Sequence, residues 1–73
     1  MGMKRPILLK FAKRVRAERK KLNLSQEDFA EVAGFHRTYI GMIERAEKNI
    51  TLANIEKLAK ALRVQISTLL KGL

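Results

Sequence analysis

Apolar side chains recur along this chain at the three-and-four spacing of helices, and no stretch shows the alternation of a strand. From residue 7 to 21, Leu8, Phe11, Ala12 and Val15 form one stripe while Lys10, Lys13, Arg14 and Lys20 fall largely outside it, which predicts a first helix. Asn23 suits the left-handed residue that ends it, and Leu22 and Leu24 pin the connection to the core. Two shorter helices follow, about Gln26 to Ala33 and about His36 to Ala46, and Ser25 with Asp28 reads as the N-cap and capping-box pair of the first of them. Thr51 is the N-cap of a fourth helix that presents Leu52, Ile55, Leu58, Ala59 and Leu62 at helical spacing. A last short helix near Ile66 to Lys71 shows Ile66, Leu69, Leu70 and Leu73. The expected fold is all-α: a compact five-helix bundle, one domain over residues 1–73.

The segment 26–45, QEDFAEVAGFHRTYIGMIER, is the most informative. Phe29, Ala30, Ala33, Phe35, Ile40 and Ile43 fall where two crossing helices must bury their contact. Ala30 lets the backbones approach closely, and Gly34 supplies the positive φ that ends the first of the two. This is the outline of a helix-turn-helix, which puts its second helix in the DNA major groove.

Charge sharpens that picture. The formal net charge is +9, and residues 1–21 hold nine Lys and Arg against Glu18 alone, whereas the remainder holds seven against six acids. Such a block attracts polyanions, for DNA through release of counterions from neutralised phosphates. By itself it says anion, not DNA. With no cysteine there is no disulfide or thiolate metal site, and His36 alone builds no zinc site, so no metal and no cofactor are expected. Paired catalytic carboxylates, a nucleophile–base set and a phosphate-cradling glycine loop are all missing, which argues against an enzyme. The wholly apolar runs fall far short of a membrane span, and Lys10 interrupts Ile7-Leu8-Leu9 before it forms a signal-peptide core, so a cytoplasmic protein is expected.

The segments FHRTYIGMIERAEKNITLANIEKLAKAL and RVRAERKKLNLSQ resemble the phage-repressor type of helix-turn-helix, and within it the controller proteins of restriction–modification systems. The resemblance runs densely from Leu24 to Leu70. It implies a sequence-specific regulator of transcription, bacterial or phage and nucleoid-associated, that binds double-stranded DNA as a homodimer on an inverted repeat. It also assigns roles. Gln26 meets a backbone phosphate; Arg37 and Thr38 enter the groove first, Arg matching guanine and Thr matching a thymine methyl or a phosphate. Tyr39 faces the backbone or the groove edge, unless its ring packs on helix one and exposes only the hydroxyl. Lys48, Asn49 and Thr51 lie in the loop near phosphates. His36 reads as an exposed helix-start residue, with base contact as the sharper alternative, and Met42 touches a thymine methyl or caps the core. Arg19 and Glu44 match a structural ion pair. Glu27 and Glu31 match positions that contact RNA polymerase, through its sigma subunit, against the plainer reading of favourable charge near a helix N-terminus.

Residues 52–73 carry more apolar side chains than so small a domain covers by itself, which marks Leu52, Ile55, Ile66, Leu69, Leu70 and Leu73 as a dimer interface; the plainer reading leaves only Ile66 to Leu73 spare. The sequence also departs from the resembled pattern. Ala46 and Arg63 stand where glycine usually ends a helix, Gln65 replaces a serine cap, and Gly41 replaces a serine in helix three. Either those two ends close differently or stability is given up. Competing functions are a small phage or plasmid repressor, an antitoxin-type module that sequesters a protein, for which no disordered tail is evident, and a membrane-surface role for the basic first helix, which leaves the rest of the chain unexplained.

Overall fold

The structure, a computed structural model, describes residues 5–73. Five helices are present among them: α1 (Pro6–Lys21), α2 (Gln26–Ala33), α3 (Arg37–Glu44), α4 (Leu52–Leu62) and α5 (Ile66–Leu70). α2 packs on α3 and α4, while α1 lies across α3, α4 and α5. Val15, Phe29, Ile40, Leu58, Leu62 and Leu69 are wholly buried where these helices converge, with Phe11 and Ile43 beside them.

Local chemistry sets the element ends. Pro6 opens α1, where its fixed φ suits the first turn and its missing N–H has no intrahelical acceptor to lose. Ser25 Oγ accepts the Asp28 N–H at 2.9 Å and Thr51 Oγ1 accepts the Asn54 N–H at 3.1 Å, the two caps the spacing predicts. α3 is shorter than expected at both ends: His36 is its cap, the imidazole Nδ1 accepting the Thr38 N–H at 3.0 Å, and after Glu44 the chain leaves the helix through Arg45 to left-handed Ala46. Gln65 makes no such bond before α5.

The departures from the glycine pattern leave the closure of the helices unchanged. Gly34, Asn23, Ala46 and Arg63 all sit in the left-handed region. Each is followed by a bond back to the last turn: Leu24 N–H to Arg19 O at 3.3 Å, Phe35 to Ala30 at 2.9 Å, Glu47 to Met42 at 2.8 Å and Val64 to Ala59 at 3.0 Å. Ala46 and Arg63 therefore carry a conformational cost of about 1–2 kcal/mol each.

The C-terminal helix corrects one expectation. Leu69 is 0% exposed, inserted into the protomer's own core, and so offers nothing to a second molecule. Leu52, by contrast, is 68% exposed, and Ile55, Ile66, Leu70 and Leu73 are half-buried. Short α5 is further tied down by Arg14, whose guanidinium donates to the carbonyls of Thr68 and Lys71.

Candidate nucleic-acid interface

The C-terminal end of α3 is fixed by a buried polar brace. Arg19 of α1 meets Glu44 in a two-bond pair, Nε to Oε2 at 2.7 Å and Nη2 to Oε1 at 3.0 Å, and its Nη1 donates to Leu24 O at 2.8 Å. Their side chains are 10% and 3% exposed, so the pair expected from the sequence is present and largely withdrawn from water. Gln26, first residue of α2, adds a fourth bond by donating Nε2 to Glu44 Oε1 at 3.1 Å. A carboxylate only accepts, which orients the amide with nitrogen inward and leaves its second N–H for another acceptor. One group of side chains thus locks α1, the α1–α2 turn, the start of α2 and the end of α3.

The opposite end of α3 rests on aromatic packing. The Phe35 and Tyr39 rings lie 4.9 Å apart at 54°, and the Lys57 ammonium stands 5.5 Å from the Phe35 centroid. The Tyr39 hydroxyl accepts from Asn54 Nδ2 at 3.0 Å, which keeps its own hydrogen for another acceptor. The ring therefore packs on Phe35, in the turn between the two motif helices, and its hydroxyl reaches α4. Asn54 and Phe35 are positioning residues that sequence reasoning missed in this role; an Asn in the first turn after the Thr51 cap reads only as capping.

Between these anchors, Arg37 and Thr38 are exposed on the first turn of α3, immediately after the His36 cap. Met42 is half-buried one turn on. Lys48, Asn49 and Thr51 are exposed in the α3–α4 loop, where the Thr51 hydroxyl oxygen is already taken as a cap. Gly41 is buried beneath the Arg45 guanidinium: a Cβ there would come within 2.9 Å of Arg45 Nη1, so the space a serine would take is filled by a cation. Arg45 also pairs with Glu47 at 3.2 Å. Glu27 and Glu31 are exposed on α2, together with Asp28. The arrangement is one cation, Arg37, with the hydroxyls of Thr38 and Tyr39 on the first turn of a short, firmly held helix, and amide and loop donors at its flanks. It suits an anionic duplex, and no group of side chains that could hold a metal ion occurs among the described residues.

Comparison with known proteins agrees with this geometry. A helix-turn-helix family model matches residues 15–69. The control protein C.SmaI of Serratia marcescens is 52% identical over 59 residues, spanning 81% of this chain and 70% of that protein. The control protein C.BamHI of Bacillus amyloliquefaciens is 51% identical over 65 residues, 88% of this chain and 80% of its own. Among solved structures, the restriction-modification controller protein C.AhdI of Aeromonas hydrophila superposes with a TM-score of 0.83 at 44% identity, covering 85% of this chain and 94% of that one.

Proposed function

We infer that this chain, which belongs to the helix-turn-helix family and within it to the restriction–modification controller proteins, regulates transcription by laying α3 in the major groove of an operator. The observation that carries the reading is the placement of Arg37 and Thr38: exposed, on the leading turn of a helix held at both ends. Arg37 reads a guanine edge and Thr38 a thymine methyl or phosphate, while Gln26, Tyr39, Lys48, Asn49 and Thr51 position the backbone. His36 holds the start of α3, and Met42 borders the groove. Such a regulator works with DNA in the bacterial cytoplasm, at the nucleoid; no helix among the described residues is long and apolar enough to cross a membrane. Catalysis has no part in this reading.

The operator is an inverted repeat bound by a twofold dimer. In support, Ile7, Leu8, Ile55, Leu70 and Leu73 line a shallow groove of about 130 Å³, and Leu52 of α4 is 68% exposed. A self-complementary contact through that face sets two copies of α3 on successive major grooves, roughly 34 Å apart. Selection of bound sites from random duplex DNA tests both statements; enriched sites without a dyad would reject the dimer, and no enrichment would reject operator reading. Exposed Glu27 and Glu31 form an activating contact with the sigma subunit of RNA polymerase. That contact fails if Glu27→Lys with Glu31→Lys binds operator normally and still activates transcription in vitro.

A further inference from the structure

The reading edge uses few of the sixteen Lys and Arg residues. Their densest run lies on α1, whose buried residues Phe11, Ala12, Val15 and Arg19 face the core. The helical period then places Lys10, Lys13, Ala17, Lys20 and Lys21 on the opposite side, and all five are exposed. The one acid of α1, Glu18, is paired with Lys21 at 3.0 Å. Lys10, Lys13 and Lys20 have no acid three or four residues away, so like charges stack along the ridge and weaken the isolated helix. The flanking arginines have other surroundings: Arg14 donates to the Thr68 and Lys71 carbonyls, and Arg16 lines a shallow concavity against Glu44 and Arg45 at the end of α3, which Lys13 reaches from the edge of the ridge.

We propose that this ridge is a second DNA-binding surface, which holds the phosphate backbone of another duplex segment while α3 occupies the operator. The geometry separates the two surfaces. α1 meets α3 at Glu44, the end opposite Arg37, and the ridge points away from the core that α3 faces. Its chemistry selects the ligand. Flexible ammonium groups with no aromatic among them suit phosphates rather than stacked single-stranded bases, and from Lys10 to Lys21 the ridge carries no large apolar side chain, the exposed Ile7 and Leu9 lying at its N-terminal end, which disfavours insertion of the ridge into a lipid surface. From Lys10 to Lys20 the helix rises about 15 Å. A duplex strand presents a phosphate roughly every 3.4 Å of its axis, so the ridge lies along about four of them.

The proposal goes beyond operator recognition and is tested apart from it. Affinity for a random-sequence duplex is measured across a salt series for the wild type, for Lys13→Gln with Lys20→Gln, and for Lys60→Gln with Arg63→Gln, which removes equal charge from α4. Counterion release predicts that the slope of log affinity against log salt falls by about 1.8 for the ridge variant, about 0.9 per phosphate, and stays unchanged for the α4 variant. In a second assay, operator duplex fixed to a surface and saturated with protein captures a labelled random duplex. The ridge variant should lose that capture at least tenfold at equal operator occupancy. Equal slope losses in both variants, an unchanged ridge variant, or no second duplex captured by the wild type would each overturn the proposal. Failure of operator recognition has a different signature, equal wild-type affinity for operator and random duplex.

Discussion

Breaking the Arg19–Glu44 brace from one side should cost far more than deleting it whole. Glu44→Ala leaves a guanidinium that is 10% exposed with only the Leu24 carbonyl as partner, and it also strips Gln26 of its acceptor. Arg19→Met leaves a carboxylate that is 3% exposed with a single neutral donor, Gln26. An uncompensated buried charge of this kind costs about 3–5 kcal/mol. A domain of this length has a total stability of roughly 4–11 kcal/mol, so either variant should lose a large part of it. Arg19→Met should be the worse, because its orphaned charge is the more deeply buried. Arg19→Met with Glu44→Leu removes both charges and fills the space with apolar atoms, and should recover most of the loss. Urea denaturation followed by helical circular dichroism gives the four free energies of the cycle, and their non-additivity gives the coupling. If each single variant costs under about 1 kcal/mol and the coupling vanishes, the pair behaves as an exposed ion pair and the argument from burial is wrong.

Arg37→Ala should lose about 1–3 kcal/mol on operator DNA and much less on scrambled DNA, whereas Gln26→Ala should weaken both alike; titration of each variant against both duplexes checks this, and equal losses for Arg37→Ala would refute its base contact. Arg63→Gly should raise stability by about 0.5–1 kcal/mol, since relief of the left-handed strain exceeds the added entropy of an unfolded glycine. Ala46→Gly should be near neutral, because the same relief is offset by about 0.8 kcal/mol from a lost buried methyl; a thermal denaturation series separates the two. Leu52→Glu should shift sedimentation equilibrium toward monomer without lowering protomer stability, since Leu52 is 68% exposed; an unchanged association constant would remove Leu52 from the interface.

The helices were legible in the sequence because periodicity and caps point the same way: Ser25, Gly34 and Thr51 each mark an end that backbone geometry requires. The Arg19–Glu44 pair was legible through resemblance alone, since a separation of 25 residues has no local signature. Leu69 was misread because apolar spacing on a five-residue helix does not say which side meets the core; only the packing of α1 and α4 decides it. For Ala46 and Arg63 the sequence left two outcomes open, a different closure or a loss of stability, and the structure, with both in left-handed turns, shows the second. Propensity disfavours both there, and the bonds from Glu47 and Val64 back to the preceding turn override it. Tyr39 lay beyond reach too, because its partners Phe35 and Asn54 come together only when α4 packs on the motif.

These long-range contacts explain how so short a helix is held in place. Eight residues are too few to hold a helix in water by themselves, so α3 owes its order to tertiary bonds at its ends. At its start His36 satisfies a free N–H and Tyr39 is fastened to Asn54; at its end Glu44 is clamped by Arg19 and Gln26. The backbone that carries Arg37 and Thr38 is therefore ordered in the free protein, and on the proposed reading DNA binding need only fix a few side chains. On the proposed reading Gln26 joins the two tasks, since the same amide nitrogen that steadies Glu44 has a second hydrogen for a phosphate. A substitution there should thus lower stability and affinity together, whereas one at Arg37 should lower affinity alone.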